Sequence, residues 1–322
     1  MMNKFLALTH SIFLVSCLVP AIAVAQTYPV RPITLIVPQP PGGNNDIVAR
    51  TFGQKLAERI GQPVVVDNRP GAGGTLGTGI AARSENDGYT IVIGDVGTMV
   101  IAKHTQPNVP YNALKDFSPI AAVTTVSIVV AAQADSPYNN IQDVITAAKA
   151  EPGRLTSGSG GVGSTGHLAL ELVRSMAGVD ILHVPFKGGA QAMTGLIGGQ
   201  VDLMIDGAAL ALAKSGKIKP IAVTGPRLTT LPDIPGIGET VKGFNFVNWF
   251  GFFAPAGTPK PIIEKLNQEF RAIASMPEIR ERLTNLGLNA EQNGTPQQFA
   301  EVLQQDTEKI ARIIKDANLK FN

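Results

Sequence analysis

The sequence is poor in several things that would otherwise decide its class. It has one cysteine in 322 residues, Cys17. No intrachain disulfide can form, so packing alone must hold the fold. Charged residues make up only 16%, with 27 basic against 25 acidic side chains and a net charge of +2. A balance that even, with no run of more than two Lys or Arg, excludes the electrostatic footprint of a nucleic-acid binder. Beyond the N-terminus no stretch offers ~18 uninterrupted apolar residues, so no internal membrane span is expected. Enzyme signatures are missing as well. There is no G-x-S-x-G elbow, no G-x-x-x-x-G-K-[ST] and no H-E-x-x-H. Beyond the N-terminal segment the histidines are His104, His167 and His183, at spacings that form no zinc motif. Neither a metal nor a cofactor is expected, and catalysis has no candidate constellation.

What is present is apolar material and shaped loops. Apolar residues reach 44%, enough for real cores, and the length suggests two domains. The 34 glycines and 23 prolines fall in discrete clusters, which mark turns of defined geometry.

The first 25 residues read as a secretory signal peptide. Lys4 supplies the positive start, residues 5–19 are largely apolar, and Ala23-Val24-Ala25 offers a small-x-small cleavage site before Gln26. Leu14-Val15-Ser16-Cys17 gives a rival reading, in which Cys17 becomes a lipid anchor. The apolar residues that follow Cys17 favour cleavage after Ala25 and a soluble periplasmic protein.

Strand, glycine loop and helix then repeat. Short β-rich runs at 33–37, 64–66 and 90–93 are each followed by a glycine-bearing turn, and helical patterns cover 46–60 and 75–83. A second set places strands at 127–131, 181–186, 201–205 and 218–224, with helices at 141–150 and 165–176. This alternation predicts parallel βα units and an α/β fold in two lobes. Near the C-terminus, Thr258-Pro259 and Thr295-Pro296 read as helix caps with proline in the first turn. The helices they open carry one-sided apolar stripes that suit packing on the first lobe. Lobe 1 is therefore expected to be discontinuous, built from 26–125 and 248–322, with lobe 2 at 126–247. Trp249, Phe250, Phe252 and Phe253 are expected at the junction between lobes.

Two loops stand out chemically. Gly42-Gly43-Asn44-Asn45-Asp46 lies between a strand and a helix, where backbone N–H groups and the helix start together favour an anion. Asp46 suits capping the helix or tying the loop down. Ser157-Gly158-Ser159-Gly160-Gly161-Val162-Gly163-Ser164-Thr165 repeats that design with added hydroxyls. Its G-x-G-x-x-G spacing lacks the acidic residue a dinucleotide site requires, because Lys187 stands at the end of the next strand. A carboxylate cradle of amides and serine hydroxyls fits better. Asp206-Gly207 follows another strand and could line the same cleft. His167, beside the serine loop, reads as a satisfied structural histidine.

The ordered motifs resemble a known family. Pro38-Gln39-Pro40-Pro41-Gly42-Gly43 with Asp46 and Ala49-Arg50 is similar to the opening of Bug-type receptors, the substrate-binding proteins of tripartite tricarboxylate transporters. Asn68-Arg69-Pro70-Gly71-Ala72-Gly73-Gly74, Asp87-Gly88-Tyr89-Thr90, His183-Val184-Pro185-Phe186-Lys187-Gly188, Leu231-Pro232-Asp233-Ile234-Pro235 and Ala254-Pro255-Ala256-Gly257-Thr258-Pro259 follow in the family's order. The resemblance implies a two-lobed periplasmic binding protein of the type II-like, Venus-flytrap kind. Its lobes would be joined by hinge strands and close over a small organic carboxylate. That ligand would be a di- or tricarboxylate, an aromatic acid or an acidic amino acid. It would be handed to the membrane components of a transporter, with the receptor acting as a monomer. The expected ligand-binding residues are Gly42, Gly43, Asn44, Asn45, Asp46, Ser157, Ser159, Gly163, Ser164, Thr165 and Asp206. Gln39, Asn44-Asn45 and Gly207 depart from the family's usual pattern and point to a different ligand end. Two alternatives remain: a carboxylate sensor coupled to a membrane signalling partner, and a secreted α/β enzyme in which Ser159 or Ser164 finds a base.

Overall fold

The computed structural model describes residues 28–319, apart from 208, 214, 292 and 293. The expected signal peptide, with Cys17, lies outside the described residues. Eleven strands are present among those described: β1 (Ile33–Val37), β2 (Val64–Asn68), β3 (Thr90–Asp95), β4 (Phe117–Ser127), β5 (Val129–Gln133), β6 (Thr156–Ser159), β7 (Leu182–Pro185), β8 (Leu203–Asp206), β9 (Ile218–Val223), β10 (Val247–Pro255) and β11 (Asn289–Ala290). The α-helices are α1 (Asn44–Ile60), α2 (Thr75–Ala82), α3 (Ala102–Thr105), α4 (Ala113–Asp116), α5 (Ile141–Ala150), α6 (Thr165–Ala177), α7 (Gly189–Ile197), α8 (Ala209–Leu212), α9 (Lys260–Ala274), α10 (Pro277–Asn285) and α11 (Pro296–Asp316).

The strands form two sheets, ordered β11-β4-β10-β3-β1-β2 and β7-β6-β8-β5-β9. Both are mixed: the expected parallel βα units are present, with antiparallel strands joined to them. β1 pairs in parallel with β2 and β3, and β6 in parallel with β7 and β8. β10, however, runs antiparallel to β3 and β4, and β5 antiparallel to β8 and β9. The expected strand at 127–131 splits, because Ser127 ends β4 and β5 begins at Val129. β4 had no strand signature of its own. Its apolar residues are interrupted by Ser118, Thr124 and Thr125 without a regular alternation, and Pro119 inside it ordinarily argues against a strand. The ladder accommodates Pro119 at a register irregularity opposite Phe253.

Two crossings connect the sheets side by side. Ile128 alone separates β4 from β5, and the Ile128 amide donates to Thr224 Oγ1 at 2.9 Å while the Thr224 amide donates to the Ile128 carbonyl at 2.9 Å. The Phe246 amide adds a bond to the Thr224 carbonyl at 3.0 Å. Gly225 sits where the two crossings touch. A Cβ there would fall 2.3 Å from Val247 Cγ1 and 2.7 Å from Ser127 Oγ, so only glycine lets the strands approach this closely.

The aromatic run on β10 divides by pleat, because alternate side chains face opposite sides of a sheet. Phe252 stacks on Phe270 of α9 at 4.1 Å and touches Phe52 of α1. Trp249 and Phe253 point the other way, onto Phe299 of α11. The Trp249 indole donates to Asp306 Oδ2 at 2.9 Å, which satisfies its buried N–H. α11 packs against both β4 and α6. One core cluster therefore joins Ile36, Val92 and Trp249 to Leu168, Ile205 and Ile221 of the second sheet's lobe, through Phe299 and Leu303.

The C-terminal caps differ from each other. Thr295 closes a capping box with Gln298, as its sequence predicts. Thr258 does not cap α9; its hydroxyl turns back to donate to the Pro255 carbonyl at 2.8 Å, and the helix opens one residue after Pro259.

Candidate functional site

A cleft of about 810 Å³ lies between the two sheets. Three helices begin on its walls: Asn44 opens α1, Thr165 and Gly166 open α6, and Gly189 opens α7. The first N–H groups of a helix have no intrahelical partner, and the aligned peptide dipoles place partial positive charge there. Together these make a surface suited to an anion. Gly166 shows how tightly α6 is set, since a Cβ at that position would lie 2.0 Å from the Ile205 carbonyl oxygen of β8.

The first glycine loop is braced from behind. Gly42, at φ +88°, carries the left-handed turn, whereas Gly43 is extended at φ −80°. Asp46 is buried, and its Oδ2 accepts from the Gly42 amide at 2.9 Å and from Arg50 Nε at 3.0 Å. Its Oδ1 accepts from Asn68 Nδ2 at 2.9 Å. Burial alone would raise this carboxyl, but the hydrogen bonds from Arg50, Gly42 and Asn68, with the Arg50 charge, hold it below the usual range. Asn45 is also buried. Its Nδ2 donates to Asp95 Oδ2 at 2.8 Å, and its Oδ1 has no partner. Asn248 of β10, which lines the cleft, accepts from the Val96 amide at 3.2 Å through Oδ1.

The serine loop is braced by histidines. Ser157 and Ser159 lie in β6, not in the loop, and both are buried. Ser157 Oγ has no partner, while Ser159 Oγ lies 2.7 Å from His183 Nε2 and accepts from the Gly161 amide at 3.1 Å. Gly163, at φ +78°, donates its amide to His167 Nδ1 at 2.9 Å. The two imidazoles stack at 3.8 Å with planes 10° apart. Burial first, and then the neighbouring His167, pushes His183 down to about 4. Behind His167 stands Glu171, 3.6 Å from its Nε2 and bonded to Arg174 Nη1 at 2.7 Å. Burial would raise Glu171, yet the hydrogen bonds from His167 and Arg174 hold it low. Ser164 N-caps α6, accepting from the His167 amide at 3.3 Å, so its O–H remains to donate into the cleft.

Of the expected ligand-binding residues, Asn44, Ser164, Thr165 and Asp206 line the cleft together, with Gly160 of the serine loop and Gly207 beside them in its lining. Gly42, Gly43, Asn45, Asp46, Ser157, Ser159 and Gly163 are not among its lining residues; they sit in the layer that shapes the two loops. The far walls come from Leu231, which opens one of the ordered motifs, and from residues with no motif to announce them: Val126, Ile128, Leu210, Thr230, Asn248, Asn285, Leu286 and Gly287. Among the described lining residues Asp206 is the one charged side chain, and no Lys, Arg or His contributes. No group of three or more His, Cys, Asp or Glu among the described residues could hold a metal ion. Ser159 and His183 stand at nucleophile–base distance, but Ser159 is buried and is not among the cleft-lining residues.

Comparison with known proteins gives a consistent picture. Residues 48–319 match the family described as "Tripartite tricarboxylate transporter family receptor". The chain is 38% identical over 304 residues to a UPF0065 protein in the tcbD-tcbE intergenic region of Pseudomonas sp. strain P51, covering 92% of this chain and 89% of that one. Among solved structures it is similar to the periplasmic binding protein BugD, with 36% identity, a TM-score of 0.73, and coverage of 92% of this chain and 100% of that one. It is also similar to R. palustris Rpa4515 with adipate, with 32% identity, a TM-score of 0.77, and coverage of 92% and 100%.

Proposed function

Because the chain belongs to the tripartite tricarboxylate transporter receptor family, we propose that it is a periplasmic solute receptor that captures a small organic carboxylate and delivers it to the membrane components of such a transporter. The observation that carries this reading is the convergence of the α1, α6 and α7 starts on one cleft. One carboxylate would be held by the helix-start amides with the Ser164 and Thr165 hydroxyls, each donating to the charged oxygens. The likeness to a protein solved with adipate supports the ligand class.

Lobe 1 comprises 26–125 and 248–322, lobe 2 comprises 126–247, and the paired crossings at Ile128 and Thr224 form the hinge. Contacts made to the ligand by both lobes at once favour the closed state, because only differential binding shifts such an equilibrium. Export removes residues 1–25, and the receptor acts as a monomer. It binds without turnover, since the buried Ser159 is occupied by its own loop and by His183.

Thermal unfolding of residues 26–322 against a carboxylate panel tests the reading, after unfolding and refolding to remove any ligand carried from cells. A ligand at ~100 times its dissociation constant stabilises by about 2.7 kcal/mol and raises the midpoint by several degrees. A folded sample unmoved by every carboxylate would refute it. Mass spectrometry of the exported protein checks the start at Gln26.

A further inference from the structure

The serine loop is tied to α6 by a histidine in a role usually filled by Glu or Gln. Ser164, the N-cap, accepts from the His167 amide at 3.3 Å, and the His167 side chain reaches back so that its Nδ1 accepts from the Gly163 amide at 2.9 Å. This is the reciprocal pattern of a capping box, shifted by one residue because the Ser164 amide already donates to the Gly161 carbonyl at 3.1 Å. An amide N–H only donates, so Nδ1 carries no proton; the neutral ring holds its hydrogen on Nε2, which faces Glu171 Oε1 at 3.6 Å. His167 is 3% exposed, so water is not at hand to replace a lost bond. Ser164 and Thr165, which this brace holds, line the cleft. The surrounding groups come from every packed element. β7 stacks His183 on the ring at 3.8 Å, and β6 contributes the neutral Ser159, bonded to His183. α6 itself supplies Glu171 and Arg174, with Asp180 on the far side of Arg174. On α11, which packs on α6, Asp306 is held by Trp249 and Lys309. At the end of β8, Asp206 lies beside Gly189 at the α7 start.

We propose that His167 is the positioning residue of the carboxylate site and makes that site acid-sensitive: its neutral ring holds the serine loop in the binding geometry, and protonation at Nδ1 lets the loop go. This deepens the carboxylate reading above and rests on it. A proton on Nδ1 would set two donors against each other across 2.9 Å, and the Gly163 amide would lose its buried acceptor. It would also place a cation against the face of His183. The nearby carboxylate, Glu171, is already bonded to Arg174 at 2.7 Å, so it answers only part of that charge. The loop relieves both conflicts by moving off the ring, and the Ser164 hydroxyl and the α6 start then leave the ligand. By reciprocity, a bound carboxylate favours the neutral ring, so binding from mildly acid solution releases protons.

Adipate and benzoate, then the other acids of the panel above, are titrated calorimetrically into ligand-free protein between about pH 8 and about pH 6, where histidine changes charge. An acid that binds at the alkaline end should bind about threefold or more weakly at the acid end. Buffers of different ionisation enthalpy should then show the proton release. His167→Asn places an amide oxygen near the Nδ1 position but does not titrate. It should keep most of the affinity at the alkaline end and lose the wild type's pH dependence; the same comparison cancels any ionisation of the acid itself. His167→Leu, checked for a native circular dichroism spectrum, should bind about tenfold more weakly throughout. Wild-type affinity that is level or rises toward acid, or a pH dependence unchanged in His167→Asn, overturns the inference and leaves the carboxylate reading intact. Failure of every acid to bind at the alkaline end refutes that reading and this inference with it. If His167→Leu does not fold, NMR of the wild-type ring nitrogens decides: a bare Nδ1 with a protonated Nε2 supports the brace, and a proton on Nδ1 at the alkaline end overturns it.

Discussion

Gly166→Ala is the most direct test of how the cleft is built. The added methyl carbon would stand 2.0 Å from the Ile205 carbonyl oxygen, whereas ordinary contact begins near 3.4 Å. The α6 start or β8 must therefore move by about 1.4 Å. The near neighbour is backbone, so no side-chain rotation can relieve the clash. Overpacking of this kind costs about 1–3 kcal/mol, and helix propensity returns less than about 1 kcal/mol of it. The midpoint of thermal unfolding should fall by several degrees. Ligand affinity should fall by more than stability alone accounts for, because a 1 Å error in donor position breaks hydrogen bonds that are made near 2.9 Å. Gly43→Ala is the control. Its backbone is extended and its Cβ would meet the Pro40 oxygen at an ordinary 3.8 Å, so stability should change by less than about 0.5 kcal/mol. Equal effects from the two substitutions, or wild-type affinity in Gly166→Ala, would refute the claim that the α6 start is pressed into place by β8.

Three other perturbations follow from the braces behind the loops. His183 binds its proton near 6.5 when unfolded but at about 4 when folded, so between these values the unfolded chain holds more protons. Stability should therefore fall as pH drops from about 6.5 toward 4, by at most about 1.4 kcal/mol per pH unit; denaturant midpoints across that range should flatten in His183→Gln, and an identical slope would sink the assignment. Asp46→Ala leaves the Gly42 amide and Asn68 without their acceptor, and should cost about 1–3 kcal/mol in urea unfolding; a shift under about 0.3 kcal/mol would show that the loop does not depend on this carboxylate. Ser164→Ala removes both the α6 cap and a ligand donor, and should lose about 1 kcal/mol of stability and about 1.5–3 kcal/mol of carboxylate affinity. Ser164→Gly retains most of the capping energy, so it should separate the two losses; affinity at the wild-type level in that variant would remove the hydroxyl from the site.

The glycine turns were legible because Gly and Pro punctuate βα junctions by local backbone chemistry alone. Gly42-Gly43 before α1 and the serine loop before α6 could be read in this way, and so could the cap at Thr295. The antiparallel strands could not. β4 has no regular alternation and contains Pro119, and β10 reads as an aromatic packing run; their identity as sheet comes from pairing with each other across more than a hundred residues. The serines illustrate the same limit within a motif. Ser157, Ser159 and Ser164 look alike in sequence, yet the first two fall within β6 and only the third reaches the cleft, because the strand ends at Ser159. Thr230, Asn248 and Asn285 carry no local signal, and only the return of the chain through both crossings brings them to one cleft.

The core cluster that joins both sheets through α11 has a mechanical consequence. Trp249, Phe299 and Leu303 on one side and Leu168 and Ile205 on the other share a single apolar interior, so the two halves are bound along one edge as pages are bound along a spine. Opening must splay the free edge, at Gly287 and Leu210, and leave the bound edge packed. Each half also keeps a core cluster of its own, but because the shared one binds them, heat or denaturant should dismantle both in one cooperative step.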